Sequence, residues 1–597
     1  SMRWRRLAAV AGVVALGVAA CGGGATPSER AKEQQEQKAA SASPSPGGGY
    51  EVLLDPDAKG PAKDVPGAQR GGTITTLTSA APETFDPTRA YYIDVLAVLR
   101  LTARTLTAME LREDGKYYLV PDLATDLGQH NEDFTEWRFT LKDGIKFEDG
   151  TPVTSKDIAY AVKRSFATEE LPSGPTYQQT YFLDGDKYKG PFKSPEQGGG
   201  PDYAGVETPD DKTIVLKMAK PFPDLPFYTT FPVFTPIPED KDTKENYGNH
   251  PLATGPYKFE SYQKGKQLVL TRNEHWDPNT DPARHQYVDK FVFKFGQDPI
   301  KLQEQLIADK GPDQYAITYD GVDASLLPKI QNKEPEERML TGPGTCTFFV
   351  YLDTRRIPLE VRRALAVAWP HDALHKAAGD SPFTYEPATT ILPKVTPGWQ
   401  NFDVIGNGAK GDGDPEKARK MLEESGHLGF EIVWSYANDD EIAAQVSAVR
   451  EEKLQAAGFK TRAIPMPRDQ RRADMDNPNS ETNIRILGWC LDWPSATTVF
   501  PAIFDGRLIE LNPNSAPNKS FLNEPEVNSE IDRISALPIE EQPAEWAKLD
   551  KMLMEKYLPV IPTHYGKTNF LHGSKVGGVV LDVYGGGPDY TKLYAKQ

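Results

Sequence analysis

The stretch Leu141–Arg164, LKDGIKFEDGTPVTSKDIAYAVKR, decides the fold class because its apolar pattern changes period along the way. Around the turn at Asp143 and Gly144, alternating apolar residues predict two paired strands: Trp137, Phe139, Leu141, Ile145 and Phe147. Thr154 and Asp157 then match a capping box. Apolar residues follow at helical spacing: Ile158, Ala161, Val162 and Phe166. A hairpin followed at once by a helix indicates a mixed chain, α/β or α+β.

The same two patterns recur along the rest of the chain. Further strands are predicted at 71–78, 213–218, 255–262, 267–271 and 459–464. A helix should begin at Asp414 and Pro415, since Asp is a good cap and Pro suits the first helical position. A longer helix with an apolar stripe from Ile442 to Leu454 follows and stops at Gly458. No internal repeat is present, so α/β is the predicted class.

An isolated carboxylate occurs in the run Gly488-Trp489-Cys490-Leu491-Asp492-Trp493. The segment from Asn483 reads as a strand, and its period of two places Gly488, Cys490 and Asp492 on one face with Ile486. Trp489, Leu491 and Trp493 then face the other way. Because Gly488 has no side chain, a ligand backbone can approach there, and Asp492 can meet a terminal amine. A structural Asp, satisfied by an Arg or a turn amide, is the alternative that this segment leaves open.

The amino terminus predicts export and membrane anchoring. Three arginines precede the apolar stretch 7–20, which is too short for a membrane span and ends in small residues before Cys21. This pattern predicts a lipoprotein signal at 1–20, with Cys21 lipidated. Residues 21–70 are rich in Gly, Ala, Ser, Pro and charged residues, which predicts a flexible tether.

Charge and cysteine content limit the function classes. The formal net charge is −17, and loss of the three signal arginines makes it −17 − 3 = −20, which argues against nucleic acid as a partner. Cys346 and Cys490 are the two cysteines left besides Cys21. In an exported protein they favour a disulfide over a metal site, and two free buried thiols are the alternative.

Catalytic and cofactor motifs are weak. The glycine pattern at 406–411 does not open a helix, as a dinucleotide loop should, so it is interpreted as a plain loop. His371 and His375 share a helix face without an evident third metal ligand, so a solvated face is expected there. The sequence therefore predicts no metal, no cofactor and no enzyme. A two-carboxylate hydrolase remains as an alternative.

Five blocks, in order, carry a family resemblance. They are ETFDP (83–87), the stretch at 141–164, TGPYKFESY (254–262), LTRNEHW (270–276) and VRRALAVAW (361–369). Together they resemble the extracellular solute-binding proteins of ABC importers, in the peptide and nickel-binding family (family 5), over residues 71–597. The oligopeptide-binding branch is the most similar. That branch joins the segments of Cys346 and Cys490 by a disulfide, so the resemblance implies this pairing.

The resemblance also implies ligand contacts. Asp492 takes the position that binds the α-amino group of a peptide, and backbone at Gly488 and Cys490 takes the position that pairs with the peptide main chain. Two departures stand out: Ile486 replaces an Arg that helps to hold the peptide carboxylate, and Tyr351 replaces a Glu. Further pocket candidates are Trp489, Trp493, Glu83, Tyr177 and Tyr565.

The implied architecture is a class II periplasmic-binding-protein fold with a cleft between two lobes and an extra inserted domain. Lobe I is expected at 71–96, 231–345 and 562–597, the inserted domain II at 97–230, and lobe II (domain III) at 346–561. Closure about a hinge is expected near 347–352 and 558–563.

The expected function is that of a monomeric, lipid-anchored receptor on the extracellular face of a bacterial cytoplasmic membrane. It would capture oligopeptides and deliver them to the permease of an ABC importer with a separate ATPase. The same scaffold binding a siderophore, metal chelate or oligosaccharide is the alternative, which the missing Arg keeps open.

Overall fold

Three sheets form the framework of the computed structural model, which describes residues 50–511 and 517–597. The first sheet has the strand order Ala316–Ile317, Thr73–Leu77, Lys290–Lys294, Gln267–Arg272, Tyr257–Gln263. The second sheet has the order Tyr385–Pro387, Val560–Leu571, Met339–Leu352, Ile484–Cys490, with all pairs antiparallel. The third sheet, also antiparallel, has the order Gln129–His130, Glu136–Thr140, Thr213–Lys217, Val206–Asp210.

Shorter ladders and the α-helices complete the described chain. The remaining strands are Val52–Leu54, Tyr117–Pro121 and Thr107–Leu111 in one sheet, the parallel pair Glu431–Ala437 and Lys460–Met466, and the short pairs Val576–Gly577 with Tyr594–Ala595 and Leu581–Asp582 with Gly587–Pro588. The α-helices are Ile93–Thr102, Ser155–Arg164, Tyr177–Tyr181, Leu225–Tyr228, Pro299–Ala308, Leu359–Ala368, His371–Ala378, Pro415–Ser425, Glu441–Ala456, Arg468–Met475, Phe500–Phe504, Arg507–Leu511, Pro525–Ser535 and Gln542–Met552.

The helix predicted to start after Thr154 is confirmed, whereas the hairpin predicted around Asp143 and Gly144 is wrong. Thr154 N donates to Asp157 Oδ2 at 2.8 Å, and the helix runs from Ser155 to Arg164 as expected. The strand Glu136–Thr140 pairs instead with Thr213–Lys217. Residues 145–153 close on themselves, because Phe147 N donates to Thr151 O at 2.8 Å around Gly150, whose φ is +87°. Local alternation identified the strand, but its partner came from a distant segment.

Separate hydrophobic cores cover the three sheets. Helix Ile93–Thr102 packs on the first sheet with Phe259, Leu270 and Phe293. The second sheet shares one core with the helices from 359 to 554, and the third sheet packs with helix Ser155–Arg164 and with 225–234. The apolar residues from 97 to 101 therefore pack on the first sheet, and Val233 and Phe234 pack with the third, each a few residues beyond the predicted limits of 97 and 230.

The flexible tether was predicted to extend to residue 70, but the chain is already packed into the fold from Tyr50 onward. Val52–Leu54 pairs in parallel with Tyr117–Leu119, and Tyr50 is 4% exposed in the core of the second sheet. Val65 N donates to the hydroxyl of Tyr287 at 3.0 Å. The apolar residues that make these contacts are spaced among Gly and Pro, so composition hid them. The predicted signal 1–20, Cys21 and the rest of the tether lie outside the described residues.

Two long strands of the second sheet join two cores. Val350 pairs with Ile561 in the core of the second sheet, whereas Leu340 pairs with Phe570 beside the first. Between these pairs the register shifts from Pro343 to Thr347. The segments at which a hinge is predicted therefore lie in paired strands that run from one core into the other.

Candidate ligand-binding cleft

A cavity of about 1460 Å³ opens between the three sheets. Residues next to the first sheet form one wall, including Tyr91, Asp94 and Asp320. The strand Ile484–Cys490 and its continuation to Pro494 form the opposite wall. Phe227 and Phe231, beside the third sheet, close one side. This volume exceeds the roughly 300 to 1,000 Å³ that is typical of small-molecule pockets, so it leaves room for a larger ligand.

The wall formed by the strand Ile484–Cys490 and its continuation to Pro494, here called the strand wall, is crosslinked to the neighbouring strand by the disulfide that the resemblance implied. Cys346 lies opposite Cys490 in the antiparallel pair, and the two sulfurs are bonded. Gly488, Cys490 and Asp492 all line the cavity, as the period of two predicted for one strand face. Ile486 lines it as well, but so do Leu491 and Trp493, which follow the end of the strand at Cys490. Leu487, inside the strand, also lines the cavity and departs from the predicted alternation.

Gly488 is required by packing inside the protein. A Cβ built on it would lie 2.7 Å from Phe348 Cδ1 and 2.9 Å from Thr347 O. Phe348 belongs to the paired strand, and its ring stacks on that of His564 at 4.5 Å. The absent side chain of Gly488 was predicted to leave space for a ligand backbone, but the Phe348 ring occupies that space. Gly488 itself still lines the cavity.

Asp492 lies between two tyrosines that the fold brings from elsewhere. The hydroxyl of Tyr91 donates to Asp492 Oδ1, and that of Tyr177 donates to Oδ2. Asp492 N donates to Thr498 Oγ1 at 3.3 Å. Burial raises the pKa of the Asp492 carboxyl to about 6, against the two tyrosine hydrogen bonds, which lower it. No cation contacts this carboxylate within the described residues, so its charge has only neutral donors as partners.

Trp493 ties the same wall to the third sheet. Its Nε1 donates to Asp224 Oδ2 at 2.7 Å, and its ring centre lies 4.5 Å from that of Tyr177. Trp493 is 3% exposed and packs in the core of the third sheet. Tyr177 thus contacts both Asp492 and Trp493 from behind, but unlike them it does not belong to the cavity lining of the described chain.

The other predicted pocket residues lie elsewhere. Trp489 packs in the core behind the strand, and its Nε1 donates to Thr498 O at 2.8 Å. Tyr565 is buried, with its hydroxyl 2.5 Å from Thr390 Oγ1. The Glu83 side chain is 76% exposed and pairs with Arg89 at 3.3 Å. None of these three belongs to the cavity lining of the described chain.

The sequence did not predict Tyr91 or most of the charged residues that face the cavity. Tyr91 lies in a short loop before a helix, where no pattern indicated a role in the site. Acidic side chains on the first-sheet wall are Asp94, Asp320, Asp323, Asp582 and Asp589. Arginines on the opposite wall are Arg450, Arg468, Arg471 and Arg472. The lining also includes Arg100, Arg284, Asp380, Asp440, Asp476 and Asp492, so charges of both signs face the cavity on each side.

His371 and His375 are buried rather than solvated. They are 1% and 8% exposed, and His375 Nδ1 lies 2.8 Å from Asp380 Oδ2. Burial lowers the pKa of His371 to about 3, so it is neutral. Across the described residues, no group of three or more His, Cys, Asp or Glu is placed to hold a metal ion. In the same part of the chain, no helix has both the length and the apolar character that a membrane crossing requires.

The fold and the cleft define a two-lobed binding protein of the class II periplasmic type, which solved structures support. The structure of clavulanic acid biosynthesis oligopeptide binding protein 2 matches with a TM-score of 0.80 at 27% identity, covering 93% of this chain and 100% of that one. The unliganded open form of MppA, a periplasmic murein tripeptide binding protein, matches in fold with a TM-score of 0.70 at 18% identity, covering 89% and 99%.

The chain belongs to the bacterial extracellular solute-binding proteins, family 5, because the model of that family matches residues 118–508. Among curated relatives, the periplasmic oligopeptide-binding protein OppA of Salmonella typhimurium is 23% identical over 489 residues, which cover 78% of this chain and 82% of that protein. The family predicted from five sequence blocks is thereby confirmed.

Proposed function

We propose that this protein is the oligopeptide receptor of an ABC importer and that Asp492 anchors the amino terminus of the peptide. The observation that carries this proposal is a carboxylate in the cavity wall, held by Tyr91 and Tyr177 and without a cation among the described residues. A peptide ammonium would supply the missing charge. It would also release the two hydroxyls to act as further hydrogen-bond partners of the ligand.

Main-chain pairing complements this anchor. The backbone of Gly488 and Cys490 lines the cavity next to Asp492. Pairing through backbone groups does not depend on ligand side chains, whereas an ion pair reads the one charge that every free peptide has at its start. This combination favours a receptor that accepts many peptide sequences.

Lipidation at Cys21 would hold the receptor, as a monomer, on the extracellular face of the cytoplasmic membrane. From there it would hand peptides to the permease, and no chemistry would occur on this chain. Cys21→Ala should move the protein from the membrane fraction to the medium, and a variant retained on the membrane would contradict the anchor.

Native mass spectrometry of freshly purified protein tests the chemical identity of the ligand. We expect bound masses that fragment as peptides with free amino termini. A bound siderophore, metal chelate or oligosaccharide would contradict the peptide proposal and support the alternative solute on the same scaffold. Turnover of a peptide or glycan by the purified protein would contradict a receptor without chemistry.

A further inference from the structure

Three arginines of the cavity wall form no ion pair within the described chain, although the charge of Asp474 acts on Arg471 at longer range. Arg450 extends from helix Glu441–Ala456, and Arg471 and Arg472 extend from helix Arg468–Met475. Within residues 50–511 and 517–597, no carboxylate oxygen lies closer than 4.0 Å, the limit for an ion pair, to a guanidinium nitrogen of these three arginines. Arg471 Nε donates to the backbone carbonyl of Ser435 at 3.1 Å, and that is a neutral acceptor.

Arg450 is the most buried of the three. Its side chain lines the cavity, the residue is 6% exposed, and its Nε has no hydrogen-bond acceptor among the described residues. The guanidinium carbon lies 5.2 Å from the ring centre of Trp434 and 5.7 Å from that of Trp369. Aromatic faces compensate only part of the lost hydration of a cation.

Neighbouring cations of the same wall do have partners. Arg468 lies 3.4 Å from Asp440, and Lys519 lies 2.8 Å from Asp476. Burial lowers the pKa of Arg450 to about 9, with the charge of Arg471 as the second cause, and burial also lowers the pKa of Arg471. Arg450 and Arg471 therefore repel each other, and a bound anion would relieve that repulsion. Arg472, on the same cavity lining, is exposed to solvent.

We propose that Arg450, Arg471 and Arg472 form an anion subsite that binds the C-terminal carboxylate of the peptide ligand. This inference rests on the proposed function, in which the peptide amine meets Asp492. Guanidinium groups bind carboxylates through two parallel hydrogen bonds, which makes arginine suited to this role. Ile486, on the strand itself, cannot make such a bond.

The fold places the subsite at the far end of the strand wall from Asp492. Asn483, just before the strand, donates to Val433 O at 3.0 Å, and Ser435 of that neighbouring strand contacts Arg471. Arg485 donates to the carbonyl of Lys519, whose side chain pairs with Asp476 at the end of the arginine-bearing helix. A strand of this length spans about 20 Å, the reach of about six extended residues.

The test compares peptides that differ only in the C-terminal group. Mixed hexapeptides without Asp or Glu are prepared with a free carboxyl or as the amide, and Kd is measured by calorimetry at low salt. For the wild type we expect the amide to bind at least tenfold more weakly than the acid. In Arg471→Gln/Arg472→Gln, the acid should weaken to the level of the amide, while the amide binds as before.

Arg462→Gln is the control, since it removes a charge that already has Glu431 and Glu481 as partners and that lies outside the cavity lining of the described chain. It should keep the difference between acid and amide. Tripeptides, too short to span the wall, should show no difference in any variant. Because Arg450 is buried, the double variant avoids it, and circular dichroism melting verifies that the tested proteins fold.

The outcomes separate the two proposals. If both hexapeptide forms bind the wild type equally, or if the double variant keeps the difference, the anion subsite is wrong while the peptide receptor stands. If neither hexapeptide nor tripeptide binds, the peptide receptor itself is wrong, and the subsite is overturned with it. Acid-specific binding lost only in the double variant supports the subsite.

Discussion

Lowering the pH from 7 to 5 should weaken the binding of peptides with free amino termini, because Asp492 must be ionised to meet an ammonium. Burial raises the pKa of its carboxyl to about 6 in the ligand-free protein. At that pKa about 90% of the molecules carry the charge at pH 7, and about 10% do at pH 5. The peptide ammonium stays protonated over this window. Affinity should therefore fall about tenfold, with the midpoint near pH 6.

Proton release on peptide binding gives a second measurement of the ionisation of Asp492. The ligand favours the ionised carboxylate, so binding at pH 6 should release protons from Asp492. Calorimetry in two buffers of different ionisation enthalpy measures this release directly. An N-acetylated peptide of the same sequence should release no proton and should bind with little pH dependence.

The variant Asp492→Asn isolates this group from another acid of the cavity. Burial and the charge of Asp589 raise the pKa of Asp582 to about 6 as well, so a pH profile alone does not assign the site. Removing one member of a buried charged pair costs roughly 3 to 5 kcal/mol, which is about two to four decades in affinity. If Asp492→Asn keeps the wild-type pH profile, or if acetylated and free peptides bind alike, the amine anchor is wrong.

Three further changes test other parts of the structure. Tyr177→Phe removes a hydrogen bond that lowers the pKa of Asp492, so the midpoint of the binding profile should move above that of the wild type, and an unchanged or lower midpoint would contradict the contact. Gly488→Ala should lower both the melting temperature and peptide affinity because its Cβ would meet Phe348 at 2.7 Å; Phe348→Leu in the same chain should restore part of each loss, and no restoration would argue against this clash. Arg164→Gln should lower the free energy of unfolding by roughly 3 to 5 kcal/mol, because it leaves buried Asp86 and Asp242 without their partner, whereas exposed Arg138→Gln should be nearly neutral in the same denaturation series.

Capping residues in the sequence correctly predicted where helices begin. Thr154 and Asp157 cap a helix whose start the sequence alone gives, and Asp414 caps another by accepting from Lys417 N at 3.0 Å. Such contacts join residues three positions apart, so the sequence contains both partners within one turn. The disulfide partner of Cys490 was implied by the resemblance, and the antiparallel register places Cys346 directly opposite it.

Pairing between distant segments was not predictable in the same way. The strand Glu136–Thr140 takes Thr213–Lys217 as its partner, although a nearer apolar segment was available. Residues from Tyr50 onward join a sheet despite a composition typical of a tether. In both cases the alternation of apolar residues shows that a strand forms, but the energy that selects the partner comes from packing on a core assembled elsewhere.

The sequence by itself determined the class of protein, its helix starts, the carboxylate of Asp492 and the absence of an arginine at Ile486. Only the tertiary structure decided what surrounds these residues. Tyr91 and Tyr177 lie 401 and 315 positions from Asp492, and Arg471 reaches the cavity from a helix outside the strand. The physical reason is that charge and hydrogen-bond partners depend on distance in space, which one linear pattern does not specify.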